Sequence, residues 1–289
     1  MSEGNRRGIW LMIATVFAFA CQDGFSRHLA GTYNTLMVVM LRYWVFAAFV
    51  VVLALRRPEG MRAAIRSDRL AIHALRAVLL VAEISIIVWG YTLIGLIESH
   101  AVFAICPLLV VALSGPVLGE AINLRRWLAV GAGMVGVIVI LRPGAGVFSW
   151  PALLPLGSAL LFALYSVLTR LTARDEPTFP AFFWPAVIGA VLMTFLGLPQ
   201  WEAIAPLDAV YVLFYAATAV VSNWLMLKTY EAAEASAVQP FAYLQIVFVS
   251  VIGITVYGEH LAPAVAAGTA IVVAAGLYAL TLDRRPAHG

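Results

Sequence analysis

Apolar residues do not alternate with polar ones along this chain. They run in blocks of about twenty, separated by short polar stretches. A helix rises 1.5 Å per residue, so about 20 mostly apolar residues cover the roughly 30 Å hydrocarbon core of a bilayer. Ten segments have that length: about 8–27, 34–55, 70–91, 97–118, 125–141, 151–170, 178–197, 207–229, 234–257 and 263–282. The longest polar stretch, Arg56 to Arg69, has 14 residues, so no loop can hold a soluble domain. The pattern predicts an all-α integral membrane protein, a single membrane domain over residues 1–289, whose function sits within the spans or at their mouths. Arg6 and Arg7 ahead of the apolar stretch from Ile9 to Ala20 also have the outline of a cleaved signal peptide, with Ala18-Phe19-Ala20-Cys21 as the cleavage site. The many spans that follow make an uncleaved first helix the simpler reading.

Composition sharpens this picture. Of the 289 residues, 63% are hydrophobic and 11% charged, against roughly 25% charged in an ordinary soluble domain. Too few charges are present to cover that much apolar surface in water, whereas lipid lets it face outward. The net charge of +3 raises nucleic acid as a partner. The basic residues, however, sit in short loops between apolar runs, where they set membrane orientation instead. With the N-terminus in the cytoplasm, the inner segments carry 14 of the 18 basic residues: Arg6, Arg7, Arg56, Arg57, Arg62, Arg66, Arg69, Arg125, Arg126, Arg170, Arg174, Lys228, Arg284 and Arg285. The outer segments carry Arg27 and Arg142, and Arg42 and Arg76 fall within spans. This split predicts both termini inside and an even number of spans. Cys21 and Cys106 lie inside apolar runs and read as small buried side chains, not as a disulfide framework.

A weak internal repeat divides the chain. Tyr91 is followed 28 residues later by Gly119-Glu120, and Tyr230 is followed 28 residues later by Gly258-Glu259, an offset of 139 residues. Glycines punctuate the span after each pair: Gly131, Gly133 and Gly136 in one, Gly268 and Gly276 in the other. Five spans per half is an odd number, so the second half enters from the opposite side and the halves, 1–144 and 145–289, relate by inverted topology. Many secondary transporters are built this way, with the solute site near the midplane between halves.

These residues resemble the EamA-type members of the drug/metabolite transporter superfamily. Arg42 in the second span looks like that family's arginine, and within the family the chain is similar to the YddG-type exporters of aromatic amino acids. The resemblance implies ten helices as two inverted five-helix repeats with both termini cytoplasmic. It implies a central cavity lined largely by the third, fourth, eighth and ninth spans, and alternating access between half-bundles. It also implies a bacterial inner-membrane location and export of small metabolites. Aromatic and other neutral amino acids are the expected solutes, with organic cations or other drugs as the alternative.

Charges inside lipid are costly, about 2.5–3.5 kcal/mol each on insertion scales, and face a cavity or a partner. Arg42 and Glu83 both lie about eight residues from the outer ends of their spans, roughly 12 Å deep. Either they pair, which makes them structural, or Arg42 holds a solute carboxylate and Glu83 takes a proton. Asp23, beside Gln22, is either a solvated helix end or a proton or amine contact. His73 and Arg76 are read as snorkelling to the cytoplasmic interface. In the second half Asn223, Gln239 and Gln245 either bond other helices or line a water-filled path. Pro107 and Pro240 interrupt backbone hydrogen bonding as hinges or as packed kinks.

Trp10, Trp127, Trp150 and Trp201 fall at predicted span ends and read as interface anchors. Tyr43, Trp44, Tyr165, Trp184, Trp224 and Tyr243 lie deeper. If they converge they make a π-rich wall suited to flat aromatic side chains or to amines; otherwise they pack or face lipid. In each Gly-Glu pair the glycine reads as a helix-ending turn and the glutamate, Glu120 or Glu259, as a cap for the next helix. No Walker sequence is present, so this chain is not expected to hydrolyse ATP. An intramembrane enzyme would need a serine elbow, an aspartyl pair or a zinc motif. The five histidines, His28, His73, His100, His260 and His288, lack ligand spacing. No catalytic residue, metal, cofactor or obligatory protein partner is expected. The expected partners are the lipid bilayer and a small-molecule solute.

Overall fold

The computed structural model describes residues 3–119, 124–141, 150–173, 176–232 and 241–281. These are helical almost throughout: α1 Glu3–Thr32, α2 Thr35–Leu55, the single-turn α3 Met61–Ala64, α4 Leu70–Ile94, α5 Leu96–Phe103, α6 Cys106–Leu118, α7 Leu124–Leu141, α8 Leu153–Ala173, α9 Thr178–Gly197, α10 Pro206–Ala232, α11 Leu244–Tyr257 and α12 Pro263–Thr281. Seven stretches, namely α1, α2, α4, α5 with α6, α8, α9 and α10, are long and apolar enough to cross a bilayer. Three shorter apolar helices lie within α7, α11 and α12. Each falls on one of the apolar runs read from the sequence. Large apolar side chains such as Phe195, Leu213 and Trp10 remain exposed on the outside of the bundle, which suits lipid and not water.

The fourth run is not one helix. α4 ends at Gly95, whose backbone (φ +86°, ψ 171°) lies in a region open almost only to glycine. α5 starts immediately after it. A turn at Ala104 and Ile105 then separates α5 from α6, with Ala104 N–H donating to His100 O and Ile105 N–H to Val102 O. Pro107 is the second residue of α6, a first-turn position where its missing N–H costs little. The hinge candidate thus starts a helix beside a break. The ninth run shows a matching turn at Tyr243, just before α11 and 139 residues after Ala104.

The main helix pairings form a symmetric set. α1 packs on α10 as α8 packs on α4; α1 meets α11 as α8 meets α5 and α6; α2 meets α10 as α9 meets α4. α2 with α9, α5 with α11, and α7 with α12 pair directly. Glycines let α7 and α12 approach backbone to backbone. A Cβ on Gly136 would lie 2.7 Å from Gly268 O, and one on Gly268 would lie 2.6 Å from Gly136 O. Two glycines of the fifth run therefore serve contact within the chain, Gly133 facing Leu108 and Gly136 facing α12, while a Cβ on Gly131 would meet open space.

Candidate functional site

Helices α1, α2, α4, α5, α6, α8, α10 and α11 surround a cavity of about 170 Å³. Much of its wall is aromatic, including Phe19, Phe103 and Phe162. Both helix breaks border it, through Ala104 with Pro107 on one side and Tyr243 with Gln245 on the other. Of the residues singled out in the sequence, Asp23, Arg42, Glu83, Pro107, Tyr165, Asn223 and Tyr243 line it. Gln239 and Pro240 lie outside the described residues.

Asp23 is not a solvated helix end. It is buried, and its Oδ2 lies 3.0 Å from His100 Nε2 and accepts from Gln245 Nε2 at 3.1 Å. His100 stacks on Tyr91, with ring centroids 5.3 Å apart, and its Nδ1 lies 3.2 Å from Leu96 O. A carbonyl can only accept, so Nδ1 carries a hydrogen. His100 Nε2 faces Asp23, with Gln245 Nε2 3.4 Å and Tyr91 Oη 3.5 Å away. Sequence reasoning missed this knot. His100 was weighed for metal spacing along the chain, whereas its partners come from three other helices. The available signal was a histidine in the middle of an apolar run, which lipid penalises unless something pairs with it.

Glu83 accepts a hydrogen bond from Ser158 Oγ at 3.0 Å, joining α4 to α8. It forms no ion pair with Arg42: among the described residues no carboxylate lies within 4.0 Å of that guanidinium. Arg42 is 3% exposed. Its Nε and Nη1 make no hydrogen bond, and the rings of Tyr43 and Tyr215 lie 5.6 and 5.9 Å from its Cζ. Cation–π contact supplies about 2 kcal/mol when desolvated, less than the several kcal/mol that removing a charge from water costs. Asn223 lines the cavity while donating to Ala219 O of its own helix at 2.8 Å. Tyr165 sits beneath the Arg76 guanidinium, 5.1 Å from ring to Cζ. Tyr243 fills the space left by Gly276 of α12.

Four aromatic candidates fall elsewhere, because depth along a span does not fix which way a side chain faces. Tyr43 is buried against Gly189 of α9. Trp44 is half-exposed, donates to Thr194 Oγ1 at 2.8 Å and stacks on Trp201. Trp184 donates to Ile65 O at 2.9 Å, beyond the end of α3. Trp224 packs on Phe182 with the Lys228 ammonium 5.0 Å from its ring. Trp10, Trp127, Trp150 and Trp201 are all at least half exposed at helix ends.

The ends of the bundle carry two more corrections. His73 and Arg76 do not snorkel: they are 0% and 1% exposed. His73 Nε2 lies 2.8 Å from Glu176 Oε2, His73 Nδ1 lies 2.9 Å from Arg76 Nη1, and Arg76 Nε donates to Thr169. Glu176 also accepts from Ser67 Oγ and from the Asp68 and Arg69 amides. Burial pushes its carboxyl up, but the hydrogen bonds from His73, Ser67 and the Asp68 amide outweigh that and hold it below its ordinary value. At the other end Gly258 does terminate α11 in the left-handed region, at φ +64°. Glu259, however, caps α5 and not the following helix, accepting from the Leu96 and Ile97 amides at 2.8 Å each. Glu120 lies outside the described residues.

The model of the EamA-like transporter family matches this chain twice, over residues 6–142 and 149–281. A riboflavin transporter of Vibrio cholerae is 27% identical over 256 residues, covering 86% of this chain and 84% of that protein. A riboflavin transporter of Rhizobium johnstonii is 30% identical, covering 84% and 81%. An S-adenosylmethionine uptake transporter of Rickettsia prowazekii is 21% identical, covering 96% and 92%. A solved crystal structure shares the fold with a TM-score of 0.64 at 18% identity, covering 94% of this chain and 99% of its own.

Proposed function

Because the chain belongs to the EamA-like transporter family, we propose that its central cavity carries a small metabolite bearing a flat aromatic ring across the membrane by alternating access. The observation that carries this reading is the cavity itself: an aromatic wall with acid, base and amide groups, bordered by both helix breaks. Discontinuous helices of this kind flank the midplane site in many transporters. The relatives named above move riboflavin or S-adenosylmethionine, and each of these solutes has a flat heteroaromatic ring. Aromatic amino acids, the solutes expected from the sequence, share that feature, although the relatives' names speak for the ring and not for amino acid export.

Two five-helix repeats of inverted sense, spanning residues 1–144 and 145–289, are supported by the symmetric pairing of helices and by the double family match. The basic residues of the inner loops support an even number of spans, ten, with both termini in the cytoplasm, and the bacterial relatives support a bacterial inner membrane. At about 170 Å³ the cavity is smaller than the roughly 300–1,000 Å³ of typical ligand pockets, so a solute enters as the half-bundles part. Proteoliposomes holding only this protein are expected to pass labelled riboflavin, S-adenosylmethionine or tryptophan without ATP. A requirement for ATP or a second subunit, or no flux of all three, rejects the reading. Reporter fusions placing the Arg56–Arg69 loop outside the cell reject the orientation.

A further inference from the structure

The buried guanidinium of Arg42 is the one lining charge whose position the transport reading leaves unexplained. Asp23 is bonded to His100 and Gln245, and Glu83 to Ser158. Arg42 has two hydrogen-bond donors, Nε and Nη1, directed to no acceptor, and it borders the cavity. The Tyr215 hydroxyl adjoins both Arg42 and the Ser26 hydroxyl, and Tyr215 Oη and Ser26 Oγ are likewise buried without a hydrogen bond. Arg42 of α2 lines the cavity, and the two hydroxyls, Ser26 of α1 and Tyr215 of α10, stand beside it just outside the lining. A carboxylate suits that position, because its oxygens accept charge-assisted hydrogen bonds from guanidinium N–H groups.

We propose that Arg42, assisted by Tyr215 and Ser26, binds the carboxylate of the transported solute. The proposal rests on the transport reading of the cavity and adds the charge of its cargo: a flat ring along the aromatic wall and an anionic group at the α2 side. Arg42 is then the counterpart of the solute and not of Glu83, which is held by Ser158.

The test uses the purified full chain in detergent, in chloride-free buffer, with thermal unfolding as the readout and benzoate, neutral benzamide and chloride as probes. Benzoate is expected to raise the melting temperature with a saturable profile, and benzamide to have little effect. Arg42→Lys is expected to raise the half-saturating benzoate concentration on the order of tenfold, since lysine offers a point charge in place of a fork. Tyr215→Phe and Ser26→Ala should each raise it severalfold while folding normally, which keeps the test available if Arg42 variants fold poorly. Equal effects of benzoate and benzamide, or wild-type benzoate affinity in Tyr215→Phe, Ser26→Ala and Arg42→Lys alike, overturn the proposal. Saturation by chloride alone overturns the carboxylate assignment in favour of a free inorganic ion. Binding is read without flux, so a chain that binds benzoate through Arg42 yet moves no solute keeps the site and counts against transport. A chain that moves riboflavin but ignores benzoate does the reverse.

Discussion

Two glutamates from the second part of the chain grip opposite ends of α4 in nearly the same way, yet they stand on different foundations. Glu176 takes the Asp68 and Arg69 amides just before α4 begins. Glu259 takes the Leu96 and Ile97 amides just after α4 ends. The 25 residues of α4 set the two about 37 Å apart. In each case a carboxylate satisfies amides at a helix start, where unpaired N–H groups and the helix dipole favour negative charge. Behind Glu176 stands a chain of side chains, His73, Arg76 and Thr169, that leads into α8. Behind Glu259, among the described residues, stands Arg27 at 3.8 Å, lying over the ring of Tyr257, whose hydroxyl donates to Gly24 O of α1. The helix that Glu259 caps is the short α5, which also carries His100 into the cavity. The Glu259 clasp thus holds a helix of the cavity wall directly, whereas the Glu176 clasp reaches the wall at one remove, through His73 and Arg76 to the cavity-lining Tyr165. One clasp touches a helix that carries a cavity residue, the other holds the scaffold and meets the wall only through an intervening side chain.

The strongest way to break this comparison is Gly95→Ala. Its backbone conformation is strained for any residue with a side chain, and the added methyl would lie 2.9 Å from Glu259 Oε1. Strain of this type costs about 1–3 kcal/mol, and the lost cap adds to it. The variant is expected to melt well below wild type in detergent and to pass no solute in liposomes. A melting curve that overlays wild type would mean that the α4–α5 junction is built differently.

Glu259→Gln keeps the shape of the side chain but replaces one of its two acceptor oxygens and removes the charge. Hydrogen bonds to charged groups are worth about 1.5–3 kcal/mol, so a loss of that order is expected from chemical denaturation. Flux should fall further than stability, because α5 loses the anchor that positions His100. Full flux from a destabilised Glu259→Gln chain would separate the clasp from the cavity and remove the asymmetry argued above.

At the other end the comparison is sharpened by pH. The Glu176 carboxyl is held below its ordinary value in the folded chain. A depressed carboxylate binds fewer protons folded than unfolded, so its stabilising contribution is present above the ordinary glutamate range and is lost as pH falls through the lowered folded value. Wild type should therefore lose more stability than Glu176→Gln between neutral pH and about pH 4, read from melting temperatures across that range. Parallel curves for the two proteins would show that the hydrogen bonds to Glu176 do not favour its charged form.

Much of this architecture was legible because lipid imposes one rule, a run of apolar residues long enough to span, and that rule is local in the chain. The same locality explains the misses. Glu259 was legible as a cap but not as the cap of α5, since the helix it reaches begins 163 residues upstream of it. His73 and Arg76 looked like interfacial charges until Glu176, from a loop in the other half, was placed beside them. Asp23 and His100 were each visible as polar residues in apolar runs, and only the fold brings them within 3.0 Å. Arg42 and Glu83 show the opposite error: equal depth made them look like partners, and depth says nothing about the angle around a helix.

The smallest expected effect bears on that last point. Trp184 sits at a depth compatible with the cavity but turns away from it, and its Nε1 donates to Ile65 O beyond the end of α3. The bond belongs to the Glu176 end of the bundle, near the first turns of α4 and α9. Trp184→Phe keeps most of the ring packing and removes one neutral hydrogen bond, leaving the Ile65 carbonyl near enough to the surface to find water. A loss of about 1 kcal/mol or less is expected, with solute affinity and flux unchanged. A change in affinity for riboflavin, S-adenosylmethionine or tryptophan would return Trp184 to the binding wall. It would also show that the Glu176 end, and not only the Glu259 end, is coupled to the cavity.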